Sequence, residues 1–379
     1  MAPAVSLFGV DMILVVGGGP AGAACAIGLA QAGRAVTLIE RELAAIDKVC
    51  GEFVSVEAQA YLTRLGLPLA ALGGHEISRL RLVRAGQAIT APLPFSGLGL
   101  RRRTLDEALL ALAARNGVQV RRGEAVRRIK INGGISVETG SDMLRPDLLL
   151  LASGKHEIRG AARSVRASRY VGFKSYFTLA AAQQAALTHH VELVLFRGGY
   201  AGLQMVEDGL ANFSLLIDKA MLKQAGNQWP ALLLSLQRAT PHLAQRFQRA
   251  IEQFQNPLAI AGMPFGFIHR PQAFDPPNLF RLGDQAAVIQ SFTGDGLAIA
   301  LHSAALAVAR ILAGDSAQAY HKQLRTDIGG QIFRAALLHR GLMTPGLGPA
   351  LFAGAAMWPA SLTRAAAWTR VPDAALIEP

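Results

Sequence analysis

The stretch VVGGGPAG, residues 15–22, constrains the fold of this chain more than any other. It fits G-x-G-x-x-G at Gly17, Gly19 and Gly22. It follows the apolar run of residues 12–16, which reads as a buried parallel strand, and it opens an alanine-rich helix over residues 20–33. Pro20 falls in the first helical turn, where a missing N–H costs nothing. Gly17 permits the tight turn, Gly19 lets a pyrophosphate approach the backbone, and Gly22, helped by Ala26, brings the helix against the strand. The helix start at Pro20 and Ala21 then offers free N–H groups and a positive dipole end to phosphates. A second strand over 35–39 ends at Glu40, 18 residues after Gly22, where a carboxylate would accept hydrogen bonds from ribose hydroxyls. Arg41, directly after it, joins the candidate cofactor-binding set.

With 51% apolar residues among 379, the chain can bury a large core and suits two intimately connected domains. Its two cysteines, Cys25 and Cys50, cannot build a disulfide framework, and no Cys/His spacing suits zinc, so a cytoplasmic setting and no structural metal are expected. Residues 12–33 are uncharged but hold six glycines and a proline, and nothing basic precedes them, so they read neither as a membrane span nor as a targeting signal. The uncharged residues 341–363 are broken by Pro345, Pro349 and Pro359. The net charge of +12 comes mostly from arginine without interleaved aromatics, which argues against nucleic acid and for phosphate-bearing cofactors or peripheral contact with an anionic membrane.

Further along, helices are expected over 56–65 and 104–116, a hairpin over 77–83 and 88–93, and strands over 118–121, 135–138 and 148–152. Residues 191–196, 202–206 and 211–217 read as antiparallel strands, followed by helices over 229–237 and 241–252. A short strand over 279–282 and a helix over 297–312 resume the βαβ pattern. The expected architecture is α/β. A discontinuous Rossmann-type dinucleotide-binding domain (1–72, 100–168, 272–329) carries an inserted, mostly antiparallel substrate domain (73–99, 169–271), followed by a helical C-terminal region (330–379).

NAD and FAD share the glycine fingerprint, and a second landmark decides between them. Residues 279–307, LFRLGDQAAVIQSFTGDGLAIALHSAALA, give a strand ending in Gly283-Asp284, a loop with Gly294, Asp295, Gly296 and Leu297, and then a helix. This segment resembles the second flavin-binding segment of the p-hydroxybenzoate hydroxylase and geranylgeranyl reductase superfamily of FAD enzymes. The resemblance implies FAD as cofactor, with Asp284 on the ribityl and pyrophosphate region and the Gly294 to Leu297 loop against the isoalloxazine. Arg102, in an R-x-x-L-D segment, is placed like the superfamily's FAD-phosphate arginine, with Arg103 as the other candidate for that role and a solvated charge run as the alternative. Two departures stand out. SGKHEIRG (153–160) has Ser153 where the hydroxylases have aspartate and Arg159 one place early, which puts direct use of NAD(P)H as electron donor in question and leaves room for a donor partner; Lys155, His156 and Arg159 fit either a phosphate contact or a solvated turn. Ser291-Phe292 also stands where a proline is expected.

KVCGEFVS (48–55) resembles the K-x-C-G start of a geranylgeranyl reductase segment that passes beside the flavin, with Glu52-Phe53 replacing two glycines. Cys50 and Glu52 are therefore the candidate catalytic residues, Glu52 as a proton donor whose carboxyl is kept neutral by desolvation. The alternative for Cys50 is a small buried packing residue, with Ser55 capping the next helix. The leading expectation is a monooxygenase acting on an apolar phenolic, polyketide-derived or lipid substrate through a flavin C4a-hydroperoxide, with Phe173, Tyr176 and Phe196 as guessed substrate contacts. The alternative is a reductase of isoprenoid-type C=C bonds. A flavin halogenase ranks lower, because the W-x-W-x-I-P signature is missing and Trp229, Trp358 and Trp368 stand alone. A non-catalytic, membrane-associated FAD-binding protein ranks with it.

Overall fold

The computed structural model describes residues 11–131, 133–165, 168–272 and 275–377; the first ten residues, on which the reading of no targeting signal partly rests, lie outside that set. The chain opens with β1 (Ile13–Val16), α1 (Pro20–Gln31) and β2 (Val36–Glu40). The strip 50–55 leads into β3 (Phe53–Val54) and α2 (Val56–Arg64), and Ser55 is the N-cap of α2, its Oγ accepting from the Ala58 N–H at 3.5 Å. The hairpin β4 (His75–Arg84) and β5 (Gln87–Gly99) turns at Ala85-Gly86, both with positive φ, the twist that suits two-residue hairpin turns. Next come α3 (Arg102–Arg115), β6 (Gln119–Arg122), a small sheet of β7 (Arg128–Ile131), β8 (Ile135–Glu138) and β9 (Met143–Leu144), and β10 (Leu148–Leu151).

The middle of the chain forms β11 (Tyr170–Thr178), α4 (Ala181–Leu187), β12 (His189–Phe196), β13 (Gly199–Met205), β14 (Ala211–Asp218), α5 (Lys219–Gln224), α6 (Trp229–Ala239), α7 (Pro241–Arg246), β15 (Ile251–Glu252), β16 (Leu258–Ala261) and β17 (Phe267–Ile268). It closes with β18 (Leu279–Arg281), β19 (Ala287–Val288) and α8 (Gly296–Leu312). The C-terminal helices are α9 (Ala317–Met343), α10 (Leu347–Met357) and α11 (Ala360–Trp368).

Five strands form an all-parallel sheet in the order β18-β10-β1-β2-β6, the expected Rossmann-type layer. The all-leucine β10 is fully buried, as a strand covered on both faces must be. The second sheet runs β15-β11-β14-β13-β12-β4-β5-β3, with β16 also on β11, and it is antiparallel except where β12 meets β4. Short β3 belongs to this second sheet although its chain arrives from β2 of the first. The strip 50–55 therefore bridges the two layers.

Alternation along the strands gives the second sheet two distinct faces. Val171, Phe173, Phe177, Phe213 and Ile217 pack under α6 and α7 against Trp229, Leu232 and Phe247. Leu193, Leu195, Tyr200 and Leu216 face the other way and meet Phe352 of α10 and Leu362 of α11.

Two expectations are revised. Residues 241–252 do not form one helix: α7 ends at Arg246, Arg249 takes a positive φ, and Ile251–Glu252 pairs with β11. The helical C-terminal region starts with α9 at Ala317, well before residue 330, because Ser316 caps that helix through the Ala319 N–H at 3.4 Å.

Candidate functional site

The glycine loop leaves room where a phosphate needs it. A methyl on Gly17 would collide with the Ala152 carbonyl, and one on Gly22 with the Gly17 carbonyl, so both positions are fixed by close backbone approach. At Gly19, the N-cap of α1, the nearest atom to such a methyl is Arg102 Nη2 at 3.5 Å. The guanidinium of Arg102 thus stands beside the start of α1 at Pro20 to Gly22. It is aimed by a bidentate bond to buried Asp106 (2.9 and 3.0 Å), which also takes Lys48 Nζ at 2.8 Å.

Glu40 is buried at the end of β2 and accepts from the Gly18 N–H at 2.6 Å and the Glu42 N–H at 3.1 Å, so its carboxylate closes the glycine loop. Arg41 turns away and pairs with Glu42 on the surface. Gly283, at φ 54, would bring a methyl within 3.1 Å of the Ala21 side chain, which shows how tightly the Gly283-Asp284 turn lies on the start of α1. Half-buried Asp284 is thereby delivered to the same end of the cradle.

Across from it, Gly294 faces Phe53: a methyl there would sit 2.9 Å from the Phe53 ring, so the 294–297 loop and the 50–53 loop lie in direct contact. Gly296 has open space around it, and it begins the 17-residue α8, whose positive end points into that space. Asp295 is fully buried rather than facing a ligand. It accepts from the Val371 N–H at 3.2 Å and from Gln331 Nε2, and Arg370 Nη1 lies 2.9 Å away. Burial pushes its carboxyl up to about 6 against the opposing pull of Arg370. The C-terminal region thus clamps the loop from behind through Gln331 and Arg370.

Glu52 is the hub of the opposite loop. Its side chain is fully buried and its backbone sits at φ 61, a left-handed conformation that a non-glycine residue adopts only under restraint. The restraint is a ring of donors: Lys174 Nζ, Tyr176 Oη (2.7 Å), Asn212 Nδ2 (2.7 Å) and the Arg102 N–H (2.7 Å) all reach its two carboxylate oxygens. The last of these caps α3, whose own N-cap, Arg101, supplies no side-chain bond. Tyr176 Oη also lies 3.1 Å from Asp47, which binds Arg101 at 3.0 Å. Burial drives the Lys174 ammonium below its ordinary range, with Glu52 opposing, and holds the Tyr176 phenol far up.

Both oxygens already accept, so the structure places Glu52 as a strut joining the two sheets and not as a free carboxyl facing a cavity. Cys50 is half-buried, its Sγ accepts from the Glu52 N–H at 3.3 Å, and the Arg102 guanidinium lies near it. Lys155 donates to the Val49 carbonyl, and His156, exposed with Arg41, Lys48 and Lys155 nearby, is held below its usual range by partial desolvation of its ring and then by those cations. This segment therefore braces the loop.

Of the guessed substrate contacts, Tyr176 belongs to the Glu52 hub. Phe173 and Phe196 turn to the other face of the sheet, Phe173 packing on Trp229 at 5.5 Å, so neither looks toward the glycine loops. Positions 173 and 176 have opposite parity on one strand, and the alternation of side chains along a strand sends such a pair to opposite faces. Lys174, Asn212, Gln331 and Arg370 were not anticipated. A lone lysine inside the apolar strand YVGFKSYFT was the available sign for the first; the others come from distant elements. Among the described residues, no group of three or more His, Cys, Asp or Glu could hold a metal ion.

A parallel sheet with a glycine cradle at its switch point, an acidic strand end, an arginine on the phosphate side and a second sheet closing over the cradle together define a two-domain dinucleotide-binding oxidoreductase. The profile of the NAD(P)-binding Rossmann-like domain family matches residues 15–58. Menaquinone reductase of Mycolicibacterium smegmatis is 25% identical over 319 residues, 80% of this chain and 76% of that protein. Tryptophan 2-halogenase of Chondromyces crocatus is 26% identical over 334 residues, 79% of this chain and 60% of that protein. The solved flavin-dependent brominase Bmp2 superposes with a TM-score of 0.81 at 17% identity, covering 96% of this chain and 95% of that one. Over most of its length the chain is thus similar to flavin-dependent oxidoreductases, and it shares the fold of solved flavin-dependent enzymes.

Proposed function

We propose that the protein is an FAD-dependent monooxygenase acting on an apolar substrate, phenolic, polyketide-derived or lipid. The observation that carries this reading is the placement of Glu52: the carboxyl of residues 50–53 has both oxygens engaged by Lys174, Tyr176, Asn212 and the Arg102 N–H, so it is held as a strut and is not a free group facing a substrate alkene. Bound FAD would supply electron transfer and oxygen activation. The chain's part is then binding, orientation and exclusion of water. Gly17, Gly19 and Gly22 with Arg102 would hold the diphosphate and Glu40 the ribose. The space beside Gly296 and Gly294 would take the ring system. Partly buried Phe265 and Phe292, at the edge of the cluster that α10 and α11 cover, would supply an apolar wall for the substrate.

A second reading, reduction of isoprenoid-type C=C bonds, is favoured by one observation, the free thiol of Cys50 beside Arg102, and is supported by the similarity to menaquinone reductase. Halogenation shares the oxygen dependence of the first reading, and the likeness to a brominase is one of fold. The test is anaerobic photoreduction of the bound flavin, followed by oxygen in the presence of phenolic and isoprenoid substrates with chloride and bromide. Product gaining one oxygen atom supports the proposal. Anaerobic gain of two hydrogens by an alkene, or gain of halogen, overturns it in favour of the corresponding alternative.

A further inference from the structure

We propose that α10, with the adjoining edges of α9 and α11, is a docking surface for an anionic lipid bilayer, whatever reaction the flavin performs. Helix α10 buries Gly348, Phe352 and Ala355 against α9 and the second sheet. A helix seated on a protein core in this way turns a charged or polar face to water. This one does not. From residue 345 to 360 no side chain is charged, and the outward positions include Leu347, Leu351, Met357 and Trp358, with Met357 88% exposed.

The apolar surface continues beyond α10. Gly341 of α9 lies against Leu347 and Leu351, and the same face of α9 presents exposed Leu337 and Phe333 at positions four and eight residues back along the helix. Half-exposed Trp368 follows, tied in by Arg334, whose Nε donates to the Trp368 carbonyl at 2.8 Å and whose guanidinium lies over its ring. Isolated exposed apolar residues are ordinary, but a continuous strip of this kind marks an interaction site.

Charge selects the occupant. Residues 328–372 contain no aspartate or glutamate, while Arg334, Arg340 and Arg364 lie along the strip and Arg84 Nη1 reaches the helix at Gly348. Arg364 stacks 4.5 Å from the Trp358 ring centroid, leaving cation and indole side by side at the edge of the apolar face. Leucine, methionine and tryptophan flanked by arginines is the composition of a helix lying in a headgroup layer, where tryptophan and arginine sit at the polar boundary. Among the described residues no helix is long and apolar enough to cross a membrane, so the contact is one of surface insertion.

The test is co-sedimentation of the flavin-loaded protein with vesicles of phosphatidylcholine alone and of phosphatidylcholine mixed with phosphatidylglycerol, alongside its mass in solution. The wild type is expected to bind the anionic vesicles and to release with salt. Leu351→Glu/Met357→Glu is expected to lose binding at least about tenfold with flavin content unchanged, because both residues are exposed. Arg340→Gln/Arg364→Gln is expected to lose about fivefold per arginine on anionic vesicles only. Absence of vesicle binding at low salt, or binding that survives Leu351→Glu/Met357→Glu, overturns the proposal. So does a dimer in solution that this variant dissociates, which would assign the strip to a second copy of the chain. None of these outcomes bears on the oxygen test of the flavin chemistry, so either reading can fail alone.

Discussion

Replacing Lys174 by methionine should act first on stability. Lys174 and Glu52 are both fully buried and bonded to each other, one on β11 of the second sheet and the other on the strip arriving from the first. Methionine keeps most of the side-chain volume and removes the charge, so Glu52 is left as a buried carboxylate with three of its four donors. Breaking a buried pair from one side costs about 3–5 kcal/mol. With an unfolding entropy of about 2.1 cal/mol/K per residue over 379 residues, a loss of about 4 kcal/mol lowers Tm by about 5 °C. Adding Glu52→Gln to Lys174→Met removes the stranded charge while keeping an acceptor for Tyr176 or the Arg102 N–H, and should recover about half of the loss. Thermal denaturation of both single variants and the double variant, followed by tryptophan and flavin fluorescence, checks this. A Tm drop below about 1 °C for Lys174→Met, or a double variant no more stable than that single one, would falsify the strut.

The other expectations can be checked with simple assays. Gly19→Ala should fold normally, its methyl meeting only Arg102 Nη2 at 3.5 Å, but should bind FAD at least about tenfold more weakly by filling the phosphate approach, whereas Gly17→Ala should fail to fold because it strikes the Ala152 carbonyl; soluble yield and flavin titration distinguish the two. Asp295, raised to about 6 by burial, holds a proton in the folded protein that the unfolded chain has already lost. Its contribution is therefore most favourable below pH about 4 and falls as pH rises through 6, so Asp295→Asn should flatten the stability profile between those values; a profile that keeps its slope in the variant refutes the assignment. For Glu192, burial alone would raise the carboxyl, but bonds from His242 and Arg246 win and bring it down to about 2. The stability it adds should be complete above pH about 4.5 and disappear between there and about 2, a loss absent from Glu192→Gln in acid denaturation. Finally, Cys50→Ala should keep oxygenating activity if the monooxygenase reading holds, while loss of anaerobic alkene reduction in that variant would point to the thiol as proton donor.

The glycine spacing, the short apolar strand before it and the acidic end of the next strand were sufficient to specify a Rossmann-type dinucleotide-binding unit, because each of those requirements is local. A turn, a helix start and a strand end are set by neighbours in sequence, and Ser55 was readable as a cap for the same reason. The inserted antiparallel sheet was legible from turns and alternation, although β11, whose apolar run is broken by a lone lysine, was not.

What KVCGEFVS does could not be settled locally. Glu52 lies next to an apolar cavity in one reading and at the centre of four donors in the other, and the donors come from residues 102, 174, 176 and 212. The same holds for Asp295, whose partners are residues 331, 370 and 371 on the far end of the chain. Sequence fixes which groups can ionise and which backbone turns are possible. Whether a buried carboxylate is free to exchange a proton depends on which donors the tertiary structure brings within about 3 Å, and that is decided by the packing of one sheet on the other.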